Sequence, residues 1–332
     1  MCQPASRESF CLGALRVYVE LTASCPDDAV GSRSCLYHAY SIWLFTRSDL
    51  KTIVIPTALF GVFNSIFLSL HAEPELDAHW PRLLWRQAVV VLFWVWINLL
   101  PFTIDNQRRN KAILEDRLNK PWRTMPSGRM TPMEAKILML CLYVIALCLS
   151  IKIGGTKQCL GLMLLGSMYN ELELADRSWF SRNAINALGF FCFTSGALDV
   201  ALPTSVQVPP AAQTQVFSWL GVIAGVVFST VQLQDMADQA GDCLRHRMTM
   251  PLALGDSPTR WLTAVSMATW SVLCPRFWDL GIGSCLIFGG LGSFIAYRTL
   301  AYRSVLADEQ TFLLWNIWIA MLYSFPLLAV TL

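Results

Sequence analysis

The sequence predicts an all-α membrane protein, on three observations. Of 332 residues, 55% are apolar or aromatic and only 14% are charged, against roughly 25% charged in an average soluble domain. The mean hydropathy is +0.46, and the chain holds 13 Trp and 18 Phe, a composition whose natural solvent is lipid. Uncharged stretches of helical length recur from one end to the other. Net charge is +2, from 25 basic and 23 acidic residues, so no charge surplus points to nucleic acid. The 11 Cys form no CxxC pair and read as small hydrophobes, not as a zinc site or a disulfide framework. Residues 1–46 lack the basic start, apolar core and small-residue cleavage site of a signal peptide. They are expected to be a cytosolic tail, with residues 47–332 forming one transmembrane catalytic domain.

Nine runs are candidate spans: 54–70, 87–104, 137–151, 158–170, 183–198, 211–234, 261–275, 280–297 and 310–332. A spanning helix needs about 20 mainly apolar residues, since lipid cannot satisfy a free backbone. Flanking Lys and Arg can snorkel to extend the shorter runs; 158–170 is the weakest. With a cytosolic N-terminus, every Lys and Arg except Arg82, Arg86, Lys152, Lys157 and Arg276 falls in the tail or in a cytosolic loop. The positive-inside rule describes that bias. A multi-pass protein of the endoplasmic reticulum is expected.

One repeat stands out. The second and sixth runs are each followed by an acid-rich segment, basic residues and Thr-Met-Pro: Asp105 to Thr124-Met125-Pro126, and Asp235 to Thr249-Met250-Pro251. Four helices separate the copies, which places both on one side of the membrane.

The second copy carries the sharper chemistry. Asp235, Asp238 and Asp242 stand at i, i+3 and i+7, one face of a helix. Three bare carboxylates on one face repel each other unless a cation binds them. Magnesium takes oxygen from a few carboxylates and fills its remaining positions with water and substrate phosphate. Arg245, His246 and Arg247 follow directly. The bland alternative is a solvated helix end.

In the first copy, Asn106 and Asn110 are a helical turn apart, and Glu115 or Asp116 can join them as oxygen ligands. Lys120, Arg123 and Arg129 suit an oligophosphate, Arg through its planar fork and Lys as a point charge. Alone this segment could equally be a juxtamembrane loop contacting anionic lipid. Together the two copies describe oxygen clusters and cations around one diphosphate. Tyr169 and Asn170, at the end of the fourth run, are further polar candidates. Phe63, Phe67, Trp94, Asn98, Phe102, Phe190, Phe191, Phe228, Trp315 and Trp318 are candidates for lining an apolar chamber, where aromatic faces stabilise cations. No Ser–His–Asp set, phosphate-binding Gly loop or dinucleotide pattern appears.

These residues carry a family resemblance. Residues 119–129 (Asn-Lys-Pro-Trp-Arg-Thr-Met-Pro-Ser-Gly-Arg) and 234–242 (Gln-Asp-Met-Ala-Asp-Gln-Ala-Gly-Asp) resemble the two signatures of the UbiA superfamily of intramembrane prenyltransferases. Thr46-Arg47 to Lys51, ahead of the first run, fits it too. The resemblance spans about residues 43–332. It implies nine helices around a central cavity, with two magnesium ions holding an isoprenyl diphosphate at the cytosolic mouth. By position, Asn106, Asn110 and Asp116 match the first motif, and Asp235, Asp238 and Asp242 the second. Arg47, Lys51, Lys120, Arg123, Tyr169, Asn170, Arg245 and Arg247 would then contact the diphosphate.

Two departures matter. Asn110 stands where the family usually has Asp, with the next acid late, and His246 stands where Gly is usual. The Asn-Gln opening and the delayed Glu115-Asp116 pair look like the fungal branch of UbiA-type terpene cyclases. That resemblance implies a class I cyclase converting farnesyl diphosphate to a sesquiterpene in secondary metabolism. The alternatives are a prenyltransferase with an aromatic acceptor and a diterpene cyclase using geranylgeranyl diphosphate. A transporter would not need two acidic motifs on one side, each followed by basic residues.

Overall fold

The structure is a computed structural model that describes residues 34–72 and 80–331. Residues 1–33, most of the expected tail, lie outside that range. The rest of the tail is α1 (Cys35–Thr46), capped by the Ser34 hydroxyl. A π-helical stretch, Leu50–Val54, then leads into α2 (Ile55–Ala72).

There follow α3 (Trp80–Gln107), α4 (Asn110–Asn119), α5 (Pro132–Ile153), α6 (Thr156–Asn170), α7 (Leu174–Arg177) and α8 (Trp179–Ala201). The second half runs through α9 (Pro210–Thr230), α10 (Leu233–Leu244), α11 (Met250–Leu254), α12 (Asp256–Phe277), α13 (Ile282–Ala301), α14 (Val305–Tyr323) and α15 (Phe325–Thr331). No strand occurs among the described residues.

Each of the nine apolar runs is helical, but seven helical segments are long and apolar enough to cross a membrane: Leu50–Ala72, Trp85–Gln107, Pro132–Ile153, Trp179–Ala201, Pro210–Thr230, Ile282–Ala301 and Val305–Val330. The other two fail for different reasons. Helix α6 has 15 residues, about 22 Å at 1.5 Å per residue, short of a hydrocarbon core of about 30 Å. Helix α12 is 22 residues long but carries Asp256, Arg260 and a succession of hydroxyl residues. Length and composition therefore support seven spans among the described residues, not the nine expected.

Local chemistry sets the helix ends. Thr131 accepts from the Glu134 amide at 3.2 Å while Glu134 accepts from the Thr131 amide at 2.7 Å. With Pro132 as the first helical residue, this is a complete capping box for α5. The tight link from α5 to α6 uses Gly154 at φ +108° and Gly155 at φ +78°, where a side chain would be strained.

The core joins α2, α3, α8, α9, α12, α13 and α14, and apolar side chains on the opposite faces, such as Val272 on α12 and Leu286 on α13, remain exposed, as lipid contact requires. One indole keys α3 to its neighbours. Trp94 is fully buried and donates to Ser150 Oγ at 2.9 Å. A β-carbon at Gly196 would fall 2.1 Å from Trp94 Cη2, and one at Gly155 2.6 Å from Cζ2. The two acid-rich segments become short helices at the same end of the bundle, and α4 and α10 pack against each other. Thr124 and Thr249, from the repeated Thr-Met-Pro, are both fully buried.

Because the Trp94 ring cannot move without losing Ser150, Gly196→Ala is expected to destabilise the protein by about 1–3 kcal/mol, the usual cost of overpacking. Thermal unfolding in detergent checks this. The shorter ring of Trp94→Phe should recover part of the loss in the double variant.

Candidate functional site

A cavity of about 590 Å³ lies between the start of α2, α3, α4, α6, α8, α10 and α14, within the roughly 300–1,000 Å³ of small-molecule sites. Its wall changes character with depth. Along α3 the lining passes from Asn106 to Phe102 and then Leu99 and Asn98; along α8 it passes from Arg182 through Asn186 to Phe190 and Phe193. The eleven steps along α8 from Arg182 to Phe193 cover about 16 Å. At the mouth stand Arg47, Asp49, Lys51, Glu115, Lys120, Arg123, Asp238 and Arg247. The deep part is mainly aromatic and aliphatic, with the Asn98 and Asn186 amides set into it.

The mouth is built from ion pairs between elements. Arg182, on the first turn of α8, donates to both oxygens of Asp235 at 2.7 and 3.2 Å, and also to the Tyr169 hydroxyl. Lys120 meets Asp238 at 2.6 Å. Arg123 grips Asp116 with one nitrogen at 2.8 and 3.1 Å. Arg245 and Arg247 each donate to Glu115 at 3.0 Å and to Asp176 at 3.0 and 2.9 Å. Arg247 also approaches Asp242 at 3.4 Å and Asn106 Oδ1 at 3.3 Å. Arg47 lies over the Trp122 ring at 4.6 Å, a cation–π contact.

These pairs set the ionisation of the mouth. Burial alone would raise Glu115, but Arg247, Arg245 and Lys120 outweigh it and hold the carboxyl at about 2. For Asp242 the balance reverses: burial lifts it well above the usual carboxylate range against the pull of Arg247. Burial also raises Asp116 and Asp49, despite Arg123 beside both.

Several sequence expectations change here. Asp235, Asp238 and Asp242 do share a helix, α10, yet no three acidic, thiol or imidazole groups converge as a metal cage among the described residues. Arg182, Lys120 and Arg247 neutralise the three carboxylates instead. Asn106 and Asn110 are not one turn apart on a helix. The chain breaks at Arg108–Arg109, where Arg109 is extended and Arg108 reaches Glu171 at 2.8 Å. Asn110 restarts the helix as an exposed residue and does not line the cavity. Of the two adjacent acids, Glu115 lines the cavity, while Asp116 is committed to Arg123.

Tyr169 lines the cavity. Asn170 is fully buried beside it, with neither side-chain atom hydrogen-bonded. Arg129 does not line the cavity; it stacks on Tyr37 and Tyr40 of α1. Among the aromatic candidates, Phe102 and Phe190 line the cavity, as does Asn98. Phe67, Trp94, Trp315 and Trp318 are buried in the core, while Phe191 and Phe228 face Phe217 and Phe180; Phe63 is also absent from this wall. No disulfide framework was expected from the cysteine spacing; Cys243 is disulfide-bonded.

Asp176, Arg182, Asp49, Trp122 and Asn186 were not singled out by sequence. Arg182 had a readable signal, as an ionisable residue at the edge of an apolar run. Asp176 had none.

The donor chemistry fits magnesium. Asn106, Glu115 and Asp238, which line the cavity, each carry a side-chain oxygen, and Asp242 Oδ2 is buried without a partner. A preformed cage is not required, because this ion commonly binds through one or two carboxylates together with substrate phosphates. The five cations at the mouth exceed its three acids by two, fewer charges than a fully ionised diphosphate carries, so a diphosphate brought there would need further positive charge.

Residues 112–318 match the UbiA prenyltransferase family. A somaliensene A/B synthase of Streptomyces somaliensis is 25% identical over 285 residues, covering 83% of this chain and 88% of that protein. The fumagillin beta-trans-bergamotene synthase of Aspergillus fumigatus is 27% identical over 240 residues, 72% of this chain and 74% of that one. The fold is similar to a UbiA homolog from Archaeoglobus fulgidus bound to GPP and Mg2+, with a TM-score of 0.57 and 11% identity over 88% of this chain and all of the other.

The depressed Glu115 carboxyl makes stability depend on pH. Its contribution is complete above the ordinary value of 4.5 and is lost as pH falls toward about 2. Melting in detergent between pH 7 and pH 3 should show wild type losing stability below about 4.5 and Glu115→Gln losing distinctly less. Equal slopes would rule out the assignment.

Proposed function

The chain belongs to the UbiA prenyltransferase family, and from that premise we propose that it is a membrane-bound class I terpene cyclase. Its substrate in this reading is farnesyl diphosphate and its product a cyclic sesquiterpene hydrocarbon. The carrying observation is the two-part cavity, with paired cations and carboxylates at one end and a mainly aromatic and aliphatic chamber beyond. The two reported relatives are both named as synthases, which supports an enzyme. The loop charges support a multi-pass protein whose mouth faces the cytosol.

Lys120, Arg123, Arg182 and Arg247, with Arg47 and Lys51 at the rim, would hold the diphosphate oxygens. Arg offers paired N–H groups and Lys a point charge. As the allylic C–O bond breaks, its electron pair leaves with the diphosphate, and these fixed cations stabilise the growing negative charge without reorganising. Asp235 acts through Arg182, holding the Nε and Nη2 edge of its guanidinium. Magnesium, held by Asp238, Glu115, Asn106 and Asp242, would add Lewis-acid neutralisation of the leaving group. Beyond the mouth, Phe102, Tyr169, Phe190, Phe193 and Phe312 would present ring faces to the carbocation and keep out the water that would quench it, until the cyclised cation loses a proton to the released diphosphate and leaves as a neutral hydrocarbon.

One observation favours a second reading, prenyl transfer to an aromatic acceptor. Asn98 and Asn186 set two amides into the deeper wall, and Asn186 Nδ2 has no partner. An acceptor hydroxyl would suit such groups.

Membranes containing the protein, Mg2+ and a single C10, C15 or C20 prenyl diphosphate should yield a cyclic hydrocarbon from the C15 substrate with no acceptor added. Product only in the presence of a phenolic acceptor would establish the transferase reading; product only from C20 would make it a diterpene cyclase. Asp238→Ala and Asp235→Ala should each lower kcat by about 10²–10³-fold or more, the scale for loss of a fixed electrostatic group, with membrane insertion intact. Excess chelator should stop turnover reversibly without lowering the melting temperature of the ligand-free protein.

A further inference from the structure

Asp176 belongs to neither acid-rich segment. It sits on α7, the four-residue helix between α6 and α8, yet its carboxylate closes a square with two arginines and Glu115. Asp176 Oδ2 accepts from Arg245 Nε at 3.0 Å and Oδ1 from Arg247 Nε at 2.9 Å. Glu115 takes the Nη1 groups of the same two residues, each at 3.0 Å. The Asp176 carbonyl also accepts from the Met248 amide at 2.8 Å, tying α7 to the segment that carries both arginines. Between them, His246 has φ +62°, a left-handed turn that lets Arg245 and Arg247 meet the same two acids. Both guanidinium side chains are 4% exposed.

With Nε held by Asp176 and Nη1 by Glu115, one edge of each guanidinium remains. Arg247 Nη2 rests on Asn106 Oδ1 at 3.3 Å, and Arg245 Nη2 has no hydrogen-bond partner among the described residues. Arg247 lines the cavity. We infer that Asp176 is a positioning residue for diphosphate recognition: it fixes Arg245 and Arg247 before the ligand arrives, so that Arg247 presents its Nη2 edge at the cavity wall while Arg245, behind it, braces the same two acids. This rests on the proposed action on a prenyl diphosphate and adds a part of the site contributed by the α6–α8 connection.

Two effects of removing the Asp176 charge oppose each other. The mouth gains net positive charge, which attracts an anion, but each arginine regains rotamer freedom that binding must freeze again. Glu115 still partners both arginines, which limits the first effect. Ordering a long side chain is costly enough for a loss of about tenfold, so the second effect wins.

The test is binding of inorganic pyrophosphate with Mg2+ to purified protein in detergent at 0.15 M salt, together with steady-state kinetics on the active prenyl diphosphate. Asp176→Asn should weaken pyrophosphate binding about tenfold and raise KM by a similar factor, with a smaller change in kcat. Asp176→Glu, which keeps the charge but shifts it by one methylene, should fall between Asp176→Asn and wild type and gives the readout if the amide variant does not fold. Asp308→Asn is the control, because it breaks another buried pair, Asp308 with Arg260 at 2.7 Å, and should lower the melting temperature without changing pyrophosphate affinity. Unchanged or tighter pyrophosphate binding in a folded Asp176→Asn or Asp176→Glu protein would overturn the inference, as would an equal loss in Asp308→Asn. If wild type itself binds no pyrophosphate, the proposed function fails and this inference with it.

Discussion

Charge matching between elements holds the polar end of this protein together. The acids of α4, α7 and α10 each meet a guanidinium or ammonium: Glu115 with Arg245 and Arg247, Asp116 with Arg123, Asp176 with the same arginine pair, Asp235 with Arg182 and Asp238 with Lys120. Most of these partners are buried, where breaking a pair from one side costs about 3–5 kcal/mol and leaves an uncompensated charge. Short helices that could not bury enough apolar surface alone are thereby fixed over the cavity. The shape of the mouth is an electrostatic property before it is a packing one.

The same matching explains why α10 lacks a metal cage. Its spacing puts three carboxylates on one face, as the sequence says, but spacing along a helix does not reveal what other helices bring to that face. Here they bring Arg182, Lys120 and Arg247. The protein supplies its own countercharge at each acid and holds one carboxylate oxygen, Asp242 Oδ2, without a partner. Asp235 and Asp238 therefore differ in kind although they are one turn apart. The first is locked to a single arginine deep in the wall, whereas the second is partly exposed and faces the cavity.

Much of this was legible from the sequence because the strongest signal, apolar runs bounded by charge, is local. All nine runs became helices, and both acid-rich segments reached one end of the bundle. What failed was the radial direction of side chains. Phe102 and Phe190 turn inward to the cavity while Trp94, Trp315 and Trp318 fill the core, and hydropathy is blind to that difference. The Asn106–Asn110 spacing failed because Arg108 and Arg109 are drawn toward Glu171, breaking the helix the spacing presumed. His246, marked in the sequence only as a departure from Gly, proves to occupy a left-handed position. Asp176 was beyond reach, since its partners lie about 70 residues away on a segment whose approach only the tertiary fold determines.

Helix α1 leaves Leu36, Tyr40 and Trp43 exposed at i, i+4 and i+7, while Trp43 and Trp122 flank Arg47 at the rim of the cavity. Tyr and Trp in such a stripe favour the headgroup layer of a bilayer. A rim at that depth meets an amphiphile already dissolved in the membrane, head at the interface and tail in the hydrocarbon. For a ligand of that kind the relevant concentration is moles per mole of lipid, not moles per litre. Diluting the membrane with inert lipid would then slow capture as surely as diluting the ligand, and diluting the surrounding buffer would not.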